Sequence, residues 1–207
     1  YSEKIQYDFR RMIKQAINRG VEVTVHTDYA SLMEFWNMHA KLRIEKFGEI
    51  PQPRLFFKNI FDEYFLNDSG YLFFARNEQG HAIGAVLLII DGEAGYYKFN
   101  ASNAESLRLR PNNVLIDRIV RFLVEREINI LDMGFTGNTK SHYGLRQFKQ
   151  HAGACERSRY TIKNKEYDIL LLVELENLER NVKALLQTTP TLDQVESFSR
   201  IHYGKFI

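Results

Sequence analysis

A polar loop between an apolar strand and a basic helix is the segment of this sequence best suited to chemistry. It extends over residues 131–154, and Asp132 and Gly134 stand where the predicted strand ends. Lys149 follows on the next predicted helix. Strands of α/β proteins run out into loops where polar groups converge above a buried sheet. The order of residues therefore predicts a polar site containing Asp132 and Lys149.

Asp132 is a candidate proton acceptor, because a carboxylate at a strand end can accept a proton or orient an incoming amine. An aspartate after a buried strand also often caps the following turn or pairs with an arginine. Both interpretations remain open for Asp132. Gly134, Gly137 and Gly144 favour turns, since the segment lacks the spacing of a phosphate-binding loop.

A second polar group precedes the predicted crossover helix. Asn112 and Asn113 stand at its start, and Arg108 and Arg110 come just before them. The first amides of a helix have no partner within it, so this position favours an anion such as a pyrophosphate or a tRNA phosphate. The alternative is a simple helix start in which Pro111 and Asn112 act only as a cap.

Length and composition predict a soluble globular protein of one domain. The chain has 207 residues, of which 44% are hydrophobic and 26% charged. Its longest apolar run, Ile83 to Ile90, is much shorter than the roughly 20 residues of a membrane span. The net charge of +2 is too small to indicate DNA or RNA binding by itself.

The cysteine and histidine content argues against a metal site. Cys155 is the single cysteine, which excludes an internal disulfide and any zinc site built on paired cysteines. It indicates a reducing compartment, with the cytoplasm as the simplest choice, and we expect a buried structural thiol. The six histidines are scattered without ligand spacing, so no metal is expected.

Hydrophobic periodicity predicts a mixed α/β fold: an N-terminal helix, an antiparallel meander, a crossover helix leading into a further strand, and a closing hairpin. The predicted helices carry their apolar residues within 5–17, 32–39, 55–64, 115–123 and 175–186. The predicted strands are 21–25, Gly70 to Asn77, Ala82 to Ile90, Gly95 to Ala101, Ile128 to Met133, Tyr160 to Ile162 and Tyr167 to Val173. We expect a helical extension over 1–20, a transferase-type domain over 21–187 and a tail over 188–207.

Three motifs carry a resemblance to a known family. They are YYKFNASN from Tyr96, RPNNVLIDRIVRFLVEREINILDMGF from Arg110, and YGLRQFKQHAGA from Tyr143. Together they resemble the FemAB-like acyltransferase domain of the GNAT (N-acetyltransferase) superfamily. The resemblance covers about residues 1–174 and implies a GNAT-like acyl-CoA N-acyltransferase fold.

The resemblance also implies a reaction, the transfer of an acyl or aminoacyl group to an amine. It places Lys149 at the transfer site, where its ammonium can stabilise the oxyanion of the tetrahedral intermediate. The alternative is a solvated surface lysine. The donor is acyl-CoA or aminoacyl-tRNA. The superfamily's usual loop for the CoA pyrophosphate is missing, and Arg108 to Asn113 occupy its place. This departure puts the use of CoA as the donor in question.

The acceptor pocket is predicted on the strand and turn opposite the crossover helix. Tyr97, Ser102 and Asn103 can line one side, and Tyr143 and Arg146 the other. Tyrosines on a half-buried strand more often serve only packing. A second function also remains open, in which the domain is a non-catalytic half of a tandem FemAB-type protein that acts in docking or acceptor binding.

Overall fold

The structure, a computed structural model, describes residues 5–137, 139–160 and 165–203. Its centre is a five-stranded sheet in the order β1-β2-β3-β4-β5. Strands β1 to β4 are antiparallel neighbours, and β5 pairs with β4 in parallel. The strands are β1 (Glu22–His26), β2 (Gly70–Arg76), β3 (Ala82–Asp91), β4 (Ala94–Ser102) and β5 (Ile130–Asp132).

The helices cover both faces of this sheet. They are α1 (Tyr7–Asn18), α2 (Tyr29–Leu42), α3 (Arg54–Ile60), α4 (Pro111–Val124), α5 (Tyr143–His151), α6 (Lys165–Gln187) and α7 (Leu192–Tyr203). Two π-helical turns extend α2 and α3, and a short 3-10 helix, Ala104–Leu109, leads into α4. The mixed sheet with a meander and a crossover helix confirms the predicted fold class.

The local signals account for most of these elements. The Asp28 carboxylate accepts a hydrogen bond from the Ser31 amide at 2.8 Å and so caps α2. Pro111 is the first residue of α4, where its missing N–H costs nothing. The turns at Gly80 and Gly92 have positive φ angles of 78° and 57° and join the meander strands.

Two apolar layers hold the sheet between the helices. On one face α1 and α4 bury side chains such as Ala16, Leu115 and Ile119 against the sheet. On the other face α2 and α3 bury Trp36 and Phe57. Strands β2 and β3 contribute to both layers, because successive side chains of a strand point to opposite faces.

The predicted closing hairpin is wrong in its second strand. Tyr167 to Val173 lie in helix α6, and the first strand, Tyr160 to Ile162, falls mostly outside the described residues; Tyr160 itself is not in a strand. A short apolar run does not distinguish strand from helix by itself. The helical spacing of Leu178, Val182 and Leu185 extends the segment as a helix that packs on Ile50 and Val195.

Strand β5 and Cys155 also differ from expectation. The predicted buried strand Ile128 to Met133 is a three-residue edge strand, and Ile130 is 54% exposed. Cys155 is exposed rather than buried. β5 is the last strand of the sheet among the described residues, which explains the exposure of Ile130.

Candidate functional site

A cleft opens where β4 and β5 separate. The two strands pair only from Ala94 and Ile130 to Tyr96 and Asp132. Beyond Tyr96, β4 continues to Ser102, whereas the chain after Asp132 turns away into a loop. Gly134 still lies beside the Tyr97 carbonyl oxygen, so the part of β4 after Tyr97 is the stretch without a parallel neighbour among the described residues, and its backbone groups on that side can bond to a ligand.

A β-bulge at Lys98 changes which side chains of β4 face the cleft helices. In the pairing with β3, Leu87 is opposite Phe99 and Leu88 is opposite Tyr97, so Lys98 is an extra residue. As a result Tyr97 packs in the layer with α1 and α4, whereas Phe99 packs in the layer with α2 and α3. Bulges redirect side chains in this way and are frequent beside active sites.

Lys149 is bonded to the loop that follows β5. Its Nζ atom donates to the carbonyl oxygens of Gly134 and Phe135 at 2.9 and 3.1 Å and to Thr136 Oγ1 at 2.8 Å. These three bonds use all three hydrogens of an ammonium group. The structure thus brings Lys149 to the polar loop, as the sequence predicts. It also shows a bonding partner, Thr136, that no sequence pattern indicates.

Asp132 stands on the same loop. Its Oδ1 atom accepts a hydrogen bond from the Gly134 amide at 2.6 Å, so the carboxylate caps the turn. Gly134 has φ +74°, a left-handed conformation that favours glycine. Partial burial lowers the pKa of Lys149, and the nearby negative charge of Asp132 opposes this shift. The two candidate residues are therefore coupled through one turn.

The other end of the cleft is formed by Ser102 and Asn112. The Ser102 hydroxyl donates to Asn112 Oδ1 at 2.7 Å and joins β4 to the start of α4. From Tyr97 to Ser102 the strand spans roughly 15 Å at its usual rise per residue. An elongated ligand along β4 would reach both ends. Asn113 points elsewhere: it is buried, and its side-chain amide faces Met12 Sδ at 3.7 Å.

The start of α4 is held close to the sheet. A Cβ atom at Gly84 would lie only 2.9 Å from Pro111 Cβ, so glycine at this position of β3 permits the close approach. Arg110 precedes the helix in a left-handed conformation with φ +60°. No side chain of the described residues caps α4. Pro111 has no N–H and the Asn113 amide donates to the Arg110 carbonyl at 3.2 Å, so the Asn112 amide is the donor of this first turn that is left for an anion.

The remaining predicted residues are exposed. Arg108 and Arg110 precede α4 in the chain, and Arg108 lines a surface pocket with Arg19 and the turn residues Asn77 to Gln79. Asn103 caps the 3-10 helix by accepting from the Glu105 amide at 3.1 Å. Tyr143 is 61% exposed, and Arg146 forms an ion pair with Glu156.

Tyr97 lies beneath the cleft. Its ring contacts the apolar layers formed by α1, α4 and α5, and burial raises the pKa of its hydroxyl well above the usual value. A raised pKa keeps the phenol protonated, so Tyr97 is suited to donate a hydrogen bond.

Among the described residues, no three His, Cys, Asp or Glu side chains converge in a way that could hold a metal ion. No described helix combines the length and apolarity needed to cross a bilayer.

A family model described as "Acetyltransferase (GNAT) domain" matches residues 3–150. This range contains the cleft, the start of α4 and Lys149. No curated protein matches the chain by sequence.

Solved structures support the same fold. The crystal structure of FemX aligns with a TM-score of 0.64 at 18% identity and covers 73% of this chain and 54% of FemX. The chain thus spans about half the length of FemX. An aminoglycoside acetyltransferase from an uncultured soil metagenomic sample, in complex with sisomicin, aligns at TM-score 0.54 and 14% identity, covering 72% and 98% of the two chains. Aminoglycoside N-acetyltransferase AAC(6')-Iy in complex with CoA aligns at 0.51 and 14%, covering 71% and 97%.

Proposed function

The chain belongs to the acetyltransferase (GNAT) domain family, and on this premise we propose that it is an N-acyltransferase working in the cleft between β4 and β5. The observation that carries the proposal is the separation of these strands beyond Tyr96 and Asp132. It exposes one edge of β4 between an ammonium, that of Lys149, and the uncapped start of α4. A transferase domain over 21–187 with a helical extension over 1–20, acting in the cytoplasm, completes the proposal.

The reaction begins when the amine nitrogen of the acceptor attacks the acyl carbonyl carbon. A C–N bond forms, the carbonyl electron pair moves to oxygen, and the positive charge of Lys149 favours this oxyanion. The amine proton passes to Asp132 or to water. The oxyanion then collapses, the bond from the acyl carbon to the donor's sulfur or oxygen breaks, and the leaving group takes up a proton.

The bonds of Lys149 constrain this role. Gly134, Phe135 and Thr136 already accept all three ammonium hydrogens. An oxyanion must therefore displace one acceptor, with Thr136 the simplest since its hydroxyl can rotate, or else be stabilised by the charge at a longer distance. In either case the ammonium fixes the loop that faces β4, so Lys149 is proposed both to position this loop and to supply charge.

The donor is proposed to lie along β4 with its phosphates at the start of α4. The Asn112 amide at the helix start, with the exposed Arg108 and Arg110 side chains preceding it in the chain, suits a pyrophosphate or an RNA phosphate. The family match and the CoA bound to AAC(6')-Iy favour acyl-CoA. The similarity to FemX and the Arg108–Asn113 sequence in place of the usual loop keep aminoacyl-tRNA as the alternative donor.

The acceptor is proposed to be an amine that enters from the side of Tyr97 and Tyr143. Sisomicin, an aminoglycoside, is present in the complex of the metagenomic acetyltransferase. Sisomicin, a peptide amine and a polyamine form a suitable first panel of candidate acceptors. Ser102, Asn103 and Arg146 are the remaining proposed acceptor contacts.

A direct assay tests the proposal. Purified protein is incubated with acetyl-CoA and each amine of the panel, and released thiol is measured with a thiol reagent. Alanyl-tRNA replaces acetyl-CoA in a parallel series, and transferred alanine is measured by mass spectrometry. We expect turnover with one donor class that is lost in Lys149→Met. Absence of turnover with both donors, together with no thermal stabilisation by either, would support the non-catalytic docking module instead.

A further inference from the structure

His39 is a buried polar residue that the proposed reaction does not use. It is only 4% exposed on α2, and its Nε2 atom lies 3.1 Å from Gln52 Oε1. Its buried Nδ1 atom makes no hydrogen bond of normal geometry, although the backbone of Asn100, on β4, lies close enough to interact with the ring. A buried imidazole with one well-formed hydrogen bond costs more free energy than an apolar side chain, so this position is unfavourable for a residue that serves only to fill the core.

The His39 ring contacts the strand that forms the cleft. It packs edge-on against Phe99 of β4 with ring centroids 5.6 Å apart, and it stacks on Phe35 at 5.9 Å. Phe99 is the first residue after the bulge at Lys98. Lys98 lies between Phe99 and Tyr97, whose side chains pack on opposite faces of the sheet. A change in the position of the Phe99 ring is therefore expected to change the bulge at Lys98.

Helix α7 bonds to the loop that carries Gln52, the hydrogen-bond partner of His39. Gln52 belongs to the loop before α3, and its carbonyl oxygen accepts from Trp36 Nε1 at 2.9 Å. On the α7 side, the fully buried Ser199 donates to the Pro51 carbonyl at 2.6 Å. The Glu196 carboxylate accepts from the Arg54 amide at 2.8 Å and caps α3. The loop is thus fixed between α2 and α7.

We infer that His39 is a positioning residue: through Phe99 it fixes the bulge and cleft edge of β4, and helix α7 keeps it in place through the loop that carries Gln52. This inference rests on the proposed acyl transfer, because it assigns the residue that positions one wall of that cleft. It also gives the 188–207 segment a role in activity, although this segment lies outside the 3–150 match.

Steady-state kinetics test this role. The substrates are acetyl-CoA and whichever amine of the panel reacts fastest. We expect His39→Ala to lower kcat at least tenfold while the KM for acetyl-CoA changes less than threefold. His39→Gln, which can keep the bond to Gln52, should remain within threefold of the wild type. Gln52→Leu provides a second variant that removes the hydrogen bond without opening a large cavity. A purely structural role predicts a lower Tm with unchanged kcat in all three variants, and that result would overturn the inference.

His26→Ala is the matched control. His26 also packs edge-on against a phenylalanine, Phe74, at 5.6 Å, but it lies on β1, away from β4. Its removal should leave kcat and both KM values unchanged. Equal kinetic losses in His26→Ala and His39→Ala would reveal a general loss of stability and contradict the positioning role.

Hydrogen exchange separates this inference from the proposed function. Amides of β4 peptides covering 97–102 should exchange at least tenfold faster in His39→Ala and measurably faster in Ser199→Ala, but at the wild-type rate in His26→Ala. This readout needs no turnover. If the wild type is inactive and the exchange pattern holds, the proposed reaction fails and the coupling stands. Unchanged exchange in both the His39 and Ser199 variants rejects the coupling itself.

Discussion

The ammonium of Lys149 lies 2.9 Å from the carbonyl oxygen of Gly134, fifteen residues away in the sequence. This bond connects helix α5 to the turn that Asp132 caps. One lysine thereby fixes the course of the chain as it leaves β5. The shape of the proposed cleft depends on this contact as much as on the strands.

Replacement of Lys149 tests charge and geometry separately. Lys149→Met removes both the charge and the three hydrogen bonds, and we expect kcat/KM to fall by roughly 10²-fold, as for loss of an oxyanion-stabilising group. Lys149→Arg keeps the charge but changes the donor geometry, so an intermediate loss is expected. Thiol release from acetyl-CoA measures both variants. Activity of Lys149→Met within a few-fold of the wild type would remove the proposed role.

The two arginines before α4 should affect donor binding more than chemistry. A charge-assisted hydrogen bond contributes about 1.5–3 kcal/mol, so Arg108→Ala with Arg110→Ala should raise the KM for acetyl-CoA about tenfold or more, with little change in kcat. The effect should weaken at high salt because exposed charges are screened. Lys183→Ala, an exposed cation on α6, is the control. An unchanged donor KM would place the phosphates elsewhere.

Two glycines should respond in opposite ways to alanine. A Cβ at Gly84 would lie 2.9 Å from Pro111 Cβ, so Gly84→Ala should cost about 1–3 kcal/mol of unfolding free energy by overpacking. Gly144 lies within α5, where a Cβ meets no atom within 4 Å. Gly144→Ala should therefore be neutral or stabilise by up to about 1 kcal/mol. Urea unfolding distinguishes the two; a stable Gly84→Ala would show that α4 can shift.

Acid should destabilise the fold through His39. Burial lowers the pKa of this imidazole below its ordinary value of 6.5, and the positive charge of Arg43 acts in the same direction. The unfolded chain thus binds a proton at a higher pH than the folded protein, so stability falls as the pH drops below about 6.5. The other ionisable groups around Arg43 are Glu49, which forms an ion pair with it, and Tyr203.

The corresponding measurement is the urea midpoint between pH 7.5 and pH 5. His39→Gln should show a shallower decline than the wild type, since it has no titrating group at this position. His26→Ala should retain the wild-type slope. Parallel slopes for the wild type and His39→Gln would mean that other carboxyl or imidazole groups dominate the acid response.

The sequence predicts much of the fold because its signals are local. Alternating apolar residues and the turns at Gly80 and Gly92 are sufficient for the meander, and Asp28 and Pro111 mark helix starts. The error at Tyr167 to Val173 has a local cause as well. A short apolar run fits a buried strand or a helix equally well, and the packing of the following helical residues decides between them.

The sequence predicts candidate residues for the site but not the contacts they make. It places Ser102 with the acceptor and Asn112 with the donor, yet their side chains bond to each other. The side chain of the adjacent Asn113 contacts Met12 of α1 instead. The sequence gives no sign that these two neighbouring asparagines point in different directions. Side-chain direction at a helix start depends on the helices packed around it, and a single sequence carries no record of that packing.

The sequence by itself determined the element order, the fold class and the position of Asp132 and Lys149 at a strand exit, because periodicity, capping and turn chemistry act over a few residues. Only the tertiary structure decided that the Lys149 ammonium donates all three of its hydrogens to the loop after β5. It likewise decided that Lys98 forms a bulge and that helix α7 bonds to the loop beside His39. These contacts join residues as far apart as 148 positions. They are fixed by the packing of the whole chain rather than by any local pattern.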